Sequence, residues 1–209
     1  MASQAPAGRA GRPWLLERIA TAAHGMDLLR QKQQLLSREQ RRLARHREET
    51  KREWARACEQ ADLWSTRANI ISGTTATRLA GAKNEGRADV AISWRNTMGV
   101  LHPDEARVTA PTLLARDRAA LNAAIGPSSD AHQQALEAGA RHAVAESALR
   151  AIETELVSAH RRLRAIERHR LPSLRAELRA LELRLDEVER EERLVTRWAA
   201  DRQGQGDEV

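Results

Sequence analysis

Apolar residues recur along the first third of this chain in alternating steps of four and three. Starting at Leu15, the series runs through Ile19, Ala22, Met26, Leu29, Gln33, Leu36, Gln40 and Leu43. It continues with Arg47, Thr50, Trp54, Ala57, Ala61, Trp64, Ala68 and Ile71, so that 13 of 17 positions are apolar. A 3.5-residue repeat held this long keeps one seam facing a partner helix and imposes a left-handed supercoil. A second series near the other end reads Leu149, Ile152, Leu156, Ala159, Leu163 and Ile166. After Pro172 it resumes one residue out of frame as Leu174, Leu178, Leu181, Leu185, Val188, Glu192 and Val195. The partner helix is therefore expected in the same chain. The fold class is all-α dominated, a long antiparallel two-helix coiled coil with a small β-hairpin-containing middle segment.

Punctuation residues set the expected boundaries. Residues 1–12 form a flexible tail, and Pro13 opens an N-terminal helix over 13–72, where a missing N–H is harmless. Gly73 closes that helix, and glycines and prolines interrupt the middle segment, 73–130. Within it Val90, Ile92 and Trp94 alternate with Ala91, Ser93 and Arg95, the period of a half-buried strand. His102-Pro103-Asp104-Glu105 suits a type I turn, giving a hairpin over about 89–110. An isolated hairpin is marginal in water, so this one must lean on something. Asp130 with Gln133 resembles a capping box for a C-terminal helix over 131–201. The frame skip and Pro172 together predict a kink there, and residues 202–209 make a polar tail.

Composition sharpens the picture. There is no Phe or Tyr among the 209 residues and 31% are charged, a mix suited to long helices and poor in the side chains that fill thick cores. The net charge of +6 raises nucleic acid, an acidic membrane or an acidic protein as partners. Arginines interleaved with glutamates, and no Phe or Tyr for stacking, argue against nucleic acid. The opening residues lack the apolar run of a secretory signal, and no stretch is long and apolar enough for membrane insertion. One cysteine, Cys58, excludes an internal disulfide, and a cytoplasmic location is expected.

Two basic bands stand out, each of net charge +4, over 38–56 and 160–170. If facing residues have numbers summing to about 200, the bands stack and repel unless something acidic surrounds them. That reading makes Arg41, Arg45, Arg161 and Arg164 candidate contacts for an acidic sleeve. Catalytic chemistry is not legible. Gly81-Ala82-Lys83 lacks the rest of a phosphate loop, the histidines are scattered, and acidic pairs such as Glu48-Glu49 fit a solvated helix face. No catalytic residue, cofactor or metal is expected. Trp54 and Trp64 belong to the seam, while Trp94 on the hairpin is the tryptophan expected to touch a partner.

Three segments in order carry a resemblance. They are Gly25-Met-Asp-Leu-Leu-Arg-Gln-Lys32 with Leu35-Leu36, then Val90-Ala-Ile-Ser-Trp94-Arg-Asn-Thr-Met98-Gly99-Val100 followed by Pro103. The third is Arg162-Leu-Arg-Ala-Ile-Glu167 with Leu171-Pro172-Ser-Leu174 and Glu189-Arg-Glu-Glu192-Arg193. In these the chain resembles the D subunit of the V-type/A-type rotary ATPases (ATP synthases), the central rotor stalk. The loop at about 101–130 and both tails depart from that pattern. The resemblance implies a non-catalytic rotor whose two ends rise into the hexamer of A and B subunits, with contacts at Leu185, Val188 and Trp198 beside the four arginines. The middle segment would hold the small F subunit of the stalk through Val90, Ile92, Trp94 and Met98 and seat on the membrane-ring adaptor. Such a rotor is peripheral on the cytoplasmic face of the membrane and carries torque between ATP chemistry and ion movement, the proton being the expected ion. The alternative is a basic coiled-coil scaffold that binds nucleic acid or an acidic membrane surface.

Overall fold

The computed structural model describes residues 6, 8–82, 87–111 and 123–204, with side chains except at 80–82 and 199–204. A 3-10 turn (Gly8–Ala10) leads into helix α1 (Gly11–Ala82), then strands β1 (Asp89–Thr97) and β2 (Val100–Thr109). Helix α2 (Ile125–Ala165), a π turn (Ile166–Arg170) and helix α3 (Leu171–Gly204) complete the order. Two long antiparallel helical stretches pair as a coiled coil, with a two-stranded hairpin between them in sequence. Two compact units divide the chain, Met1–Gln33 with Ser158–Val209, and Gln34–Val157.

In the terminal unit the seam is built by Leu15 against Leu174 and Leu181, with Trp14, Ile19, Ala22, Leu178 and Leu185 around them. Leu15 and Leu174 are almost fully buried, each worth about 1.5–3 kcal/mol of apolar burial. Arg12 donates to Glu182 at 3.1 Å and Arg30 to Glu167 at 3.2 Å, which fixes the antiparallel sense. These ion pairs are exposed, so each contributes at most about 1 kcal/mol and the leucines dominate.

In the other unit Leu36 and Leu43 pack against Ala148, Leu149, Ile152 and Leu156. Further along, Gln40 donates to Glu153 at 3.2 Å, Thr50 meets His142 at 3.3 Å and Ser65 meets His132 at 3.3 Å. Ala68 closes this seam against Ala124 and Ile125. The non-leucine seam positions are thus accommodated in different ways. Gln40 and Thr50 find partners across the coil, whereas Gln33 Nε2 and Arg47 Nε are buried without one.

Several boundaries differ from those the sequence suggests. Helical structure begins at Gly8, not Pro13, because Arg9 and Arg12 reach Glu189 and Glu182 and Gly11 is buried beside Leu181. Gly73 does interrupt α1, with φ 75° and ψ 155°, but helical backbone resumes as far as Ala82. Ile71 is a seam position by count, yet it is 60% exposed. Helix α2 starts at Ile125 with Pro127 in its first turn, so Asp130 lies inside the helix rather than capping it. The segments 83–86, 112–122 and 205–209 of the middle and tail expectations lie outside the described residues.

The frame skip has a local structural counterpart. Between Ile166 and Leu171 the backbone winds one residue wider, and the Leu171 N–H bonds to the Ile166 carbonyl, five residues back. A π turn adds one residue to a helix without breaking it. It lets Ile166 stay partly buried while Leu171, Leu174 and Leu181 return to the seam. Pro172, which has no N–H to give, follows at once as the second residue of α3, beside the widened turn.

Candidate docking surfaces

The hairpin is the part of the chain whose geometry is not explained by the coil. Its two strands pair antiparallel from Asp89↔Thr109 to Thr97↔Val100. The turn is the two-residue Met98-Gly99, with φ 54° and 82°, the positive pair that a type I′ turn needs. Methionine is unusual there, and the Asn96 side chain compensates by accepting the Gly99 N–H at 2.9 Å. The expected turn at His102–Glu105 is therefore incorrect, for those residues lie inside β2. Ser93 faces Glu105 and Trp94 faces Pro103, which leaves Asp104 as the extra residue of a β-bulge. Pro103 sits beside the bulge with its nitrogen toward the outer edge, where a missing N–H costs no ladder bond.

The turn end of β2 is covered and β1 is open. Near the turn, Val100 packs on the Leu36–Leu43 cluster, and His102 is wholly buried. His102 Nε2 lies 3.0 Å from the Thr97 hydroxyl and Nδ1 lies 3.0 Å from the Pro103 carbonyl. Under this corner Arg42 grips Glu39 through two hydrogen bonds, at 3.0 and 2.7 Å. Those bonds hold the Glu39 carboxyl below its ordinary range; partial burial opposes them, and the charges of Arg42, His102 and Arg95 add to them. Arg95 in turn donates to Asp104 at 2.8 Å. The hairpin leans on the coil through one apolar residue, one buried imidazole and a charge network.

Strand β1 is exposed from Asp89 to Asn96. Val90, Ile92, Trp94 and Asn96 share one face, which continues across the ladder through the exposed Leu101, the buried Pro103 and the half-buried Ala106 and Val108. Trp94 is 60% exposed, Leu101 62%, and Val90, Ile92 and the turn residue Met98 are each nearly half exposed. A row of large apolar side chains in water on a two-stranded sheet is the kind of patch found at interaction surfaces. The structure brings Val90, Ile92 and Trp94 onto one face and puts Met98 at the tip. Leu101 is not evident from sequence, because placing the turn at His102 conceals its pairing with Asn96.

The residues expected at a hexamer surface are placed otherwise. Arg41 and Arg45 are exposed one turn apart on α1, and Arg161 and Arg164 are exposed on α2. The first pair belongs to the unit Gln34–Val157 and the second to the terminal unit. The premise that the two basic bands stack is wrong. Gln40 meets Glu153 and Thr50 meets His142, so the first band faces 142–153, where two glutamates outnumber one arginine. Glu167 meets Arg30, so the second band faces a different level of α1. Leu185 is half-buried against the Leu15 cluster, whereas Val188 and Trp198 are exposed. Seam packing ends at Leu185, and Glu192 and Val195, although in frame, are exposed. Leu183 and Leu194, off the seam, are exposed on the same helix.

No helix among the described residues is long and apolar enough to cross a membrane. Against known proteins, the family model of the ATP synthase D subunit matches residues 15–200. The chain belongs to the ATP synthase D-subunit family. It is 28% identical over 179 residues to the D subunit of the A-type ATP synthase of Halorubrum lacusprofundi, covering 84% of this chain and 78% of that one. With the D subunit of the A-type ATP synthase of Thermococcus gammatolerans it shares 29% identity over 180 residues, 85% of this chain and 84% of the relative. The D-subunit match takes in the seam, the hairpin and the π turn alike.

Proposed function

We propose that this chain is the non-catalytic central-stalk rotor of an A-type/V-type ATP synthase. It transmits torque between the hexamer of A and B subunits and the ion-translocating membrane ring. The observation that carries the reading is the D-subunit family match across nearly the whole coil, on a chain whose hairpin leaves an apolar face uncovered. The exposed face of Val90, Ile92 and Trp94, with Met98 at the tip, fits the docking surface of the stalk's F subunit. Past Leu185, α3 leaves Val188, Leu194, Val195 and Trp198 in solvent, which suits a segment that sits inside a bearing of A and B subunits. The exposed arginines at 41, 45, 161 and 164 suit the same bearing. Exposed charge contacts are individually weak, so they form and break as a shaft turns. The site of action is the cytoplasmic face of the membrane, with the ring adaptor at the hairpin end.

Co-purification tests the assignment: the tagged chain is expected to bring down A, B and F subunits rather than nucleic acid or lipid. Removing the segment from Leu185 onward is expected to lower coupled ATPase activity and leave binding of the F subunit intact. Loss of that binding in the truncation would reverse the orientation. Reversing the charge of Arg41, Arg45, Arg161 and Arg164 without weakening assembly would remove the arginines from the bearing surface.

A further inference from the structure

The hairpin has two outer edges, and they are built differently. On β2 the outer edge carries Pro103, which has no N–H, and the bulge at Asp104, and its turn end is buried against the coil through Val100 and His102. Proline, bulges and covering are the devices by which proteins close a strand edge to further pairing. Strand β1 has none of them. It contains no proline, no bulged residue and no lysine, and every residue from Asp89 to Asn96 is exposed. Among the described residues no backbone hydrogen bond reaches β1 except from β2.

The register identifies the unused backbone groups. Thr97 and Val100 flank the two-residue turn and form its hydrogen-bonded pair, and inward and outward pairs alternate from there. The bulge lies on β2, so the alternation along β1 is undisturbed. The amides and carbonyls that point away from β2 therefore belong to Asn96, Trp94, Ile92 and Val90. Three of these four also supply the exposed apolar side chains. An outward backbone ladder and an apolar row on the same residues, at two-residue spacing, match one kind of occupant, an extended strand. Arg95 is already neutralised by Asp104, so no unpaired charge sits at the centre of the edge.

We infer that the F subunit docks by adding a strand to the free edge of β1, turning the hairpin into a three-stranded sheet. This rests on the assignment of the F subunit to the hairpin given above, and it names the mode of docking. The added strand is an uncharged segment of about four residues that pairs with Val90 to Asn96 and sets alternate apolar side chains beside Ile92 and Trp94. The backbone gives affinity and Trp94 gives selectivity.

Residue-resolved amide exchange on the full-length chain, with and without the purified F subunit, tests this. The amides of Val90, Ile92, Trp94 and Asn96 are expected to slow at least tenfold with F, while those already paired to β2 change little. Ile92→Pro removes one outward N–H and leaves the β2 ladder intact, since proline is tolerated on an edge strand. It is expected to weaken F binding at least tenfold. If Trp94→Ala weakens F binding but Ile92→Pro does not, and the outward amides stay fast, F docks on the side-chain face; the strand-addition inference is overturned and the assignment of F to the hairpin stands. If neither variant affects F, both fall. Slowing that follows protein concentration without F would assign the edge to a second copy and overturn the inference. Should Ile92→Pro unfold the hairpin, seen as faster exchange at the β2-paired amides, the wild-type exchange pattern alone decides.

Discussion

Gly139 lies against the indole of Trp54, so closely that a methyl group placed on it would sit 3.0 Å from Nε1. The same indole stacks on His142, with ring centres 5.5 Å apart. Here the coil replaces a leucine layer with one large knob on α1 and a notch on α2. Gly139 gives up roughly 1 kcal/mol of helix propensity relative to Ala. In the wild-type chain Gly139→Ala is expected to leave stability unchanged or slightly lower, because the propensity gain is offset by displacing the indole. In a Trp54→Ala background the same substitution should stabilise by about 0.5–1 kcal/mol. Thermal melts of the four proteins of this cycle give the coupling directly, and equal effects of Gly139→Ala in both backgrounds would remove Trp54 as the reason for the glycine.

Glu39 carries the pH dependence of the corner where the hairpin meets the coil. Its carboxyl is held below the ordinary 4.5, chiefly by the hydrogen bonds from Arg42. A depressed acid contributes stability that is present above the unfolded-state pKa and lost as pH falls through the folded one. Glu39→Gln is therefore expected to lower stability at pH 7, by less than about 1 kcal/mol for a pair three residues apart on a helix. The gap to wild type should close as pH falls below 4.5 and the carboxyl takes up its proton. A gap that does not narrow as pH falls below 4.5 would show the glutamate acting by packing rather than charge.

The turn Met98-Gly99 makes a prediction of opposite signs at adjacent residues. Both hold positive φ, which costs a non-glycine residue about 1–2 kcal/mol, least for Asn and Asp. Met98→Asn should slow exchange of the β-ladder amides, and Gly99→Ala, with open space around its new methyl, should speed it through backbone strain alone. Amide exchange is the right readout because a hairpin leaning on a long coil opens locally, below the global melt.

What the sequence reveals and what it conceals divide along physical lines. Leu15, Leu36, Leu43, Leu149, Ile152 and Leu174 sit on a repeat that states both helix and buried face, and all are buried. The hairpin strands are legible because Val90, Ile92 and Trp94 alternate. Its turn is not, since a methionine in left-handed conformation leaves only Gly99 as a signal, while His102-Pro103-Asp104 imitates a turn and is a bulge. Axial offset stays hidden for another reason. A heptad frame names the seam but not which rung meets which. Facing numbers sum to 192 for Thr50 with His142 and 197 for Arg30 with Glu167, low enough to bring each basic band opposite a different partner. The docking face is legible in Trp94 but not in Leu101, whose exposure follows from a register that no local pattern gives.

The π turn and Pro172 compensate for each other, and deletion separates their effects. Removing His169 would place Leu163, Ile166, Leu171, Leu174, Leu178 and Leu181 on one unbroken sequence of three and four. The same deletion would leave Pro172 deeper in a regular α-helix, against the carbonyl four residues back, at a cost of about 3 kcal/mol. The His169 deletion alone is thus expected to destabilise the terminal unit. Combined with Pro172→Ala it should recover at least wild-type stability, with the frame now continuous. Deleting Ala148 instead, within a seam that has no skip, should be far more damaging, because every later leucine turns away from α1. Melting temperatures of the three deletions decide it: a His169 deletion with Pro172→Ala no better than the Ala148 deletion would mean that the extra residue is needed by the seam itself.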